Sequence, residues 1–136
     1  MVILSVDYGD ARTGVAVCDK MEFLASPVGV IHETYEPKVI AKLKGIIEEK
    51  KPELIVVGLP VNMDGSKGER AQKCTLFAEK LKEETGIEVK LYDERLTTVS
   101  AHRILSENNV RGQKRKNVVD AVSAVMILES YMKSKC

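Results

Sequence analysis

Four acidic residues of this chain stand where carboxylates could do chemistry. Asp7 closes the first apolar run, and Asp93 and Glu94 follow another apolar stretch. Asp120 lies at the start of a segment that is otherwise almost entirely apolar. Ligand sites in open α/β sheets favour the carboxyl ends of the strands. We therefore predict that Asp7, Glu94 and Asp120 meet at one sheet edge, with Asp93 as a reserve ligand.

Three such carboxylates suit divalent-metal phosphodiester hydrolysis. Two Mg²⁺ or Mn²⁺ ions about 3.5–4 Å apart can activate a water and stabilise the leaving oxygen. Hard cations of this kind require oxygen ligands. Three carboxylates leave part of the charge of two divalent ions unbalanced, and phosphate oxygens of a substrate would complete the neutralisation. Asp7, Glu94 and Asp120 are thus both the predicted metal ligands and the predicted catalytic residues.

Each acid also has a plain structural interpretation, which the sequence leaves open. Asp-x-Gly is a common turn sequence, so Asp7 could simply shape a turn. Asp93 could belong to a turn before a helix capped by Thr97 or Thr98. With Asn117 as the N-cap of the last helix, Asp120 would occupy its first turn and be stabilised by the helix dipole.

Two further segments could contact a polyanion. The segment Arg111 to Lys116 has four basic residues in six positions and is interpreted as a flexible basic loop that binds phosphates, or alternatively as a solvated surface. The Gly-rich loop Gly58 to Gly68 ends at a predicted helix N-terminus, where Lys67 and backbone N–H groups could hold a phosphate, unless it is only a connector. The candidate nucleic-acid contacts are Arg12, Lys67, Arg95, Arg111, Lys114, Arg115 and Lys116.

The pattern of apolar residues predicts an α/β fold with one mixed sheet and helices on both faces. Pro27 places the third strand near a sheet edge, and the aliphatic run Leu54 to Val57 indicates a central parallel strand. The predicted strands are Val2–Tyr8, Thr13–Asp19, Ser26–His32, Glu53–Gly58 and Ile87–Tyr92, and the predicted helices are Glu36–Lys51, a helix from a capping box at Ser66–Glu69 to Gly86, Thr97–Ser106 and Asn117–Lys133.

Size and composition limit the classes of protein to which the chain can belong. With 136 residues, 44% of them hydrophobic, the chain is predicted to be a single domain over residues 1–136. Its 21 basic and 20 acidic residues exclude a polybasic binder of the histone type, so any nucleic-acid site must be local. Three widely spaced cysteines and the lack of a long apolar segment predict a protein of the reducing cytoplasm.

Four motifs in order resemble the YqgF/RuvX family across essentially the whole chain. They are Asp7-x-Gly9-x-x-Arg12-x-Gly14-Val15-Ala16, Val57-Gly58-Leu59-Pro60-x-Asn62-Met63-Asp64-Gly65-Ser66, Asp93-Glu94-Arg95-Leu96-Thr97-Thr98 and Val119-Asp120. The resemblance implies a ribonuclease H-like, five-stranded sheet, catalytic acids at Asp7, Glu94 and Asp120, a bacterial cytoplasmic location and a role in ribosomal RNA maturation. Ser123 departs from the alanine that the family usually has there.

We therefore predict a metal-dependent endonuclease that acts on structured nucleic acid. The resemblance favours processing of the 5′ end of pre-16S rRNA, with ribosomal precursor particles as partners and a monomer or weak homodimer as the working form. One alternative is a Holliday junction resolvase in DNA recombination and repair, and another is a non-catalytic RNA-binding factor of ribosome assembly. An actin-like ATP-binding phosphotransferase is a rival class, but it needs two such lobes and the chain has room for one.

Overall fold

The structure is a computed structural model that describes residues 1–19, 24–60, 68–93 and 112–134, and within the last stretch the side chains of residues 122–133. Five strands and three helices lie in these ranges. In chain order they are β1 (Ile3–Tyr8), β2 (Arg12–Cys18), β3 (Ala25–His32), α1 (Glu36–Lys50), β4 (Leu54–Leu59), α2 (Glu69–Thr85), β5 (Glu88–Asp93) and α3 (Gly112–Ser134). The predicted helix Thr97–Ser106 lies outside the described residues.

The five strands form one mixed sheet in the order β3-β2-β1-β4-β5. The first three strands pair antiparallel, whereas β4 pairs parallel with both β1 and β5. The prediction of a parallel strand at Leu54 to Val57 is confirmed, because an all-aliphatic strand is covered on both of its faces. Pro27 lies in β3, which is the end strand of the described sheet, so its missing N–H disrupts no inner ladder.

Helices cover both faces of the sheet, as the sequence predicts. On one face α1 and α2 pack against alternate strand residues that include Leu4, Val6 and Val57. On the other face α3 packs Ala124, Ile127 and Leu128 against the intervening strand residues, among them Ile3 and Val56. None of the helices in the described ranges is long and apolar enough to cross a membrane.

Two predicted helix starts are wrong. Helix α2 begins at Glu69 with Gly68 as its N-cap and no side-chain cap, whereas the predicted capping box starts at Ser66, which lies outside the described residues. Helix α3 begins at Gly112, five residues before the expected start at Asn117. Gln, Lys and Arg are good helix formers, so the basic segment extends the helix upstream instead of forming a loop.

The turn between β1 and β2 requires glycine at position 9. A Cβ atom on Gly9 would collide with the carbonyl oxygen of Arg12 in the same turn. Because the obstacle is backbone, the turn itself must shift to accept a side chain. We expect Gly9→Ala to lower the free energy of unfolding by about 1–3 kcal/mol, measured by urea titration.

Gly45 provides the matched control for this prediction. It lies in α1, where an added Cβ meets nothing within 4 Å. Alanine is a better helix former than glycine by about 1 kcal/mol, so Gly45→Ala should stabilise the chain. Equal effects of the two substitutions would contradict the collision at Gly9.

Candidate active site

The carboxyl ends of β1, β4 and β5 lie at one edge of the sheet because the three strands are parallel neighbours. Asp7 is the second-to-last residue of β1, and Asp93 is the last residue of β5. The register pairs Val6 with Val57 and Leu59 with Asp93. The two acids are therefore separated only by the end of β4, as the sequence predicts for this edge.

Asp7 lies on the face of the sheet that α3 covers. Successive strand residues alternate between faces, so Ile3, Ser5 and Asp7 share one face. Ile3 packs in the cluster formed with α3. The Ser5 hydroxyl is buried and donates a hydrogen bond of 2.6 Å to the carbonyl oxygen of Ala124. The Asp7 carboxylate thus belongs to the side of the sheet that carries the last helix.

Asp120 lies on α3, but its position in that helix differs from the expected one. The helix starts at Gly112, so Asp120 is more than two turns inside it and not in its first turn. Asn117 is inside the helix as well and is not its N-cap. The alternative in which Asp120 lies in the first turn and interacts only with the helix dipole is therefore wrong. Asp120 precedes Ala124 by one turn, about 6 Å along the axis.

Asp93 occupies the opposite face from Asp7. In β5, Val89 packs on the side of α1 and α2, whereas Tyr92 packs in the α3 cluster. Alternation places Asp93 with Val89. Asp93 and Asp7 lie at the same edge of the sheet but on opposite faces. This difference argues against Asp93 as the reserve metal ligand.

Small and basic residues of β2 adjoin Asp7. Its cross-strand partner is Gly14, a buried residue that has no side chain. Arg12 begins β2 and shares the face of Gly14 and Ala16 by alternation. Arg12 is the predicted nucleic-acid contact whose side chain the structure describes, and it lies on the same face of the sheet as Asp7.

Tyr8, the residue after Asp7, is held in place by contacts on the opposite face of the sheet. The Tyr8 ring stacks on Phe77 of α2 with centroids 4.1 Å apart. Its hydroxyl hydrogen-bonds to Glu36 of α1, whose Oε1 lies 2.7 Å from Nζ of Lys80. Burial, and secondly the nearby Glu36 carboxylate, raise the pKa of Tyr8 above its ordinary value, so Tyr8 stays protonated as the donor. The end of β1 is thereby tied to both helices on that face.

Carboxylates of this kind fit a hard divalent cation, because such ions take oxygen ligands. Asp7 pairs with Gly14 of β2 and lies on the face that α3 covers. Of the predicted metal ligands, only Asp7 has its side chain in the described part, and Glu94 lies outside it. Within that part, no three His, Cys, Asp or Glu side chains gather around one point.

The predicted basic contacts divide into two groups. Gly112 to Lys116 form the start of α3, so Lys114, Arg115 and Lys116 lie on a helix and not on a flexible loop. The first turn of that helix contains no acidic residue. Cations at a helix N-terminus are unfavourable, since that end already carries partial positive charge, and an anion there would be stabilised. Lys67, Arg95 and Arg111 lie outside the described residues.

Sequence reasoning missed two polar contacts beside the acids. Besides the Ser5 bond, the Tyr92 hydroxyl and the Ser130 hydroxyl are 2.6 Å apart, which joins the end of β5 to α3. Tyr131, next to Ser130, contacts Tyr92 edge to face with centroids 6.1 Å apart. A serine inside the otherwise apolar run of β1 was the available signal, because a buried hydroxyl needs a partner.

Comparison with known proteins identifies the family of this chain. The family model described as "RuvX: Holliday junction resolvase" matches residues 1–134. The chain belongs to the RuvX family. A relative in Clostridioides difficile (strain 630), named "Putative pre-16S rRNA nuclease", is 47% identical over 133 residues, which cover 98% of this chain and 94% of the relative. A relative of the same name in Clostridium novyi (strain NT) is 43% identical over 134 residues, which cover 98% and 99%.

A solved structure shows the same fold as this RuvX family member. Thermus thermophilus RuvC in complex with a Holliday junction substrate matches with a TM-score of 0.66 at 15% identity, over 99% of this chain and 96% of that one. The five-stranded sheet is therefore of the ribonuclease H-like type, as the motifs imply. Membership in the RuvX family makes the chain a hydrolase that cleaves phosphodiester bonds.

Proposed function

We propose that this chain is a metal-dependent endonuclease whose catalytic acids and metal ligands are Asp7, Glu94 and Asp120. The observation that carries the proposal is the Ser5 to Ala124 hydrogen bond, since it puts the Asp7 face of β1 under the helix that contains Asp120. Glu94 directly follows β5, which ends at the same edge as β1. The active domain is proposed to span residues 1–136.

Mg²⁺ or Mn²⁺ is the proposed cofactor. When bound at carboxylates, such ions activate water and stabilise the leaving oxygen of a phosphodiester. The chain's own part is to supply the negative oxygen ligands and hold them at the edge. The basic start of α3 and Arg12 would bind the flanking phosphates of the substrate.

The proposed substrate is the 5′ region of pre-16S rRNA, within ribosomal precursor particles of the bacterial cytoplasm. The support is the name of the relatives at 47% and 43% identity, each matched along nearly its whole length. Structured nucleic acid, and not isolated bases, is the class that the composition favours, because the chain has two phenylalanines, four tyrosines and no tryptophan for stacking. We propose that it works as a monomer or weak homodimer.

A second candidate is resolution of four-way DNA junctions. The family description names a Holliday junction resolvase, which is the specific observation in its favour. The two candidates share one active site and differ only in the nucleic acid that docks on it.

Parallel cleavage assays test the substrate. The chain is incubated with a pre-16S 5′ leader RNA and with a four-way DNA junction, in Mg²⁺, in Mn²⁺ and in EDTA. We expect metal-dependent cleavage of the RNA and slower or no cleavage of the junction. Faster junction cleavage would favour the second candidate, and cleavage in EDTA equal to that in Mg²⁺ would contradict a metal-dependent mechanism.

The basic start of α3 yields a prediction for binding. We expect Arg115→Ala combined with Lys116→Ala to weaken binding to all sequences alike and to flatten the slope of log K against log salt by up to about 2, since each phosphate contact contributes about 0.9 on a duplex. Fluorescence anisotropy at several salt concentrations measures the slope.

Lys50→Ala combined with Lys82→Ala is the matched control. These residues lie in the last turns of α1 and α2, which lead into the amino ends of β4 and β5, so the same charge is lost at the opposite end of those strands. The control should keep the slope of the unmodified chain. If both double variants change the slope equally, the effect is one of net charge, and the start of α3 is not a phosphate contact.

A further inference from the structure

Two short hydrogen bonds join α3 to two different strands. Ser5 of β1 donates to the carbonyl oxygen of Ala124 at 2.6 Å. Tyr92 of β5 and Ser130 are linked through their hydroxyl oxygens, also at 2.6 Å. The first bond is buried and the second is partly buried, so water competes with both of them less than at the surface.

Both bonds involve residues that are close to the proposed acids in the sequence. Ser5 precedes Asp7 by two residues and shares its strand face. Tyr92 precedes Glu94 by two residues in the sequence and packs in the α3 cluster, on the face where Ser5 bonds to α3. On the helix, Ala124 follows Asp120 by one turn. Each bond therefore joins α3 to a strand that contains a proposed acid or directly precedes one in the sequence. Three of the four bonded residues lie within one helical turn or two sequence positions of a proposed acid.

The apolar contacts of α3 cannot provide the same constraint. Ile127 and Leu128 are fully buried against the sheet, and they stabilise the helix there. Hydrophobic attraction is non-directional, so it opposes separation more than it opposes small axial shifts or rotations of the helix. A hydrogen bond has a preferred distance and angle, and it fixes both.

We propose that Ser5 and Tyr92 are positioning residues that hold α3 in register with β1 and β5, so that carboxylates from separate elements can bind the same divalent ions. This proposal rests on the proposed metal-dependent function. Ligands must lie within about 0.5 Å of the productive geometry, and a helix free to slide cannot meet that requirement.

Metal affinity distinguishes positioning from a structural role alone. Mn²⁺ binding to the full chain is measured by calorimetry without nucleic acid, beside a thermal melt in EDTA. We expect Ser5→Ala and Tyr92→Phe to weaken Mn²⁺ binding by about 3- to 10-fold while both variants stay folded. Loss of an outer partner that orients a ligand typically costs 10–100-fold, and these residues act through the backbone, one step further away.

Thr75→Ala is the matched control. The Thr75 hydroxyl also donates to a helix carbonyl, that of Ala71 at 2.9 Å, but it does so within α2 on the other side of the sheet. Its loss should leave Mn²⁺ affinity unchanged. If Thr75→Ala weakens binding as much as Ser5→Ala does, the loss reflects general stability and the proposal is wrong.

A double-mutant cycle decides the case if Ser5→Ala does not fold. Tyr92→Phe, Ser130→Ala and their combination should weaken Mn²⁺ binding equally, because each removes the same bond. Additive losses, or no loss in either variant, would contradict positioning by Tyr92.

Asp7→Asn separates this proposal from the one on which it rests. If the unmodified chain binds Mn²⁺, Asp7→Asn does not, and the positioning variants bind normally, the metal site stands and positioning is wrong. If Asp7→Asn binds Mn²⁺ as the unmodified chain does, the proposed site is wrong and the positioning proposal fails with it.

Discussion

Asp7→Asn should slow nucleic-acid cleavage by at least about 10²–10³-fold without unfolding the chain. Asparagine has the size of aspartate but lacks the negative charge that holds a divalent ion. Asp7 is half-buried at the end of β1, so the substitution leaves the core untouched. Initial cleavage rates in Mg²⁺ and a thermal melt of the same preparation measure the two effects.

Asp10→Asn makes the same chemical change three residues away. The Asp10 side chain is 75% exposed and lies 4.0 Å from Nζ of Lys73, at the turn that follows β1. Exposed ion pairs contribute little, so this variant should fold and cleave as the unmodified chain does. Should Asp7→Asn cleave as fast as Asp10→Asn, Asp7 is a turn residue and the carboxylate mechanism is wrong.

Phe77→Ala should have the largest effect on stability. Phe77 is fully buried between α2 and the sheet and stacks on Tyr8 with an angle of 3° between the rings. Removing its ring leaves a cavity, for which the expected loss in the free energy of unfolding is about 3–5 kcal/mol. In a thermal melt this corresponds to a Tm lower by roughly 10–20 °C.

Leu76→Ala is the control for size and helix position. Leu76 is the preceding residue of α2, yet it is 58% exposed. Its truncation should change the stability by no more than about 0.5 kcal/mol. Similar losses for the two variants would mean that Phe77 does not occupy the core of this face.

The sheet could be predicted because its signals are local. The aliphatic run Leu54 to Val57 predicts a strand covered on both faces, and it lies between two parallel neighbours. Pro27 predicts an end strand, since an inner strand would lose a ladder hydrogen bond at that residue. Each signal depends on the chemistry of a few consecutive residues.

The start of α3 could not be predicted in the same way. Asn117 is a good N-cap residue, and the basic residues before it are typical of solvated loops. The same residues are also good helix formers, and a helix can begin at any point where its neighbours allow it. Composition alone did not decide between these two outcomes.

The sequence predicted a set of acids for the candidate site but not their arrangement in space. Alternation in β1 could show that Ser5 and Asp7 share a face. It could not show which helix covers that face, because the Ser5 to Ala124 contact joins residues 119 positions apart. Nor did the sequence reveal that Asp93 and Asp7 face opposite sides, which depends on how β5 is registered on β4.

The separation of Ser5 and Ala124 along the chain has a consequence during synthesis. The β1–β2 hairpin can form early, but the partner of Ser5 leaves the ribosome only after more than a hundred further residues, on the order of ten seconds later. Until then Ile3 and Val56 have no α3 to cover them. A nascent chain consequently exposes an apolar sheet face that chaperones can bind, and it lacks the helix that carries Asp120. The proposed mechanism needs Asp120, so on that mechanism nuclease activity begins only after the last helix has docked.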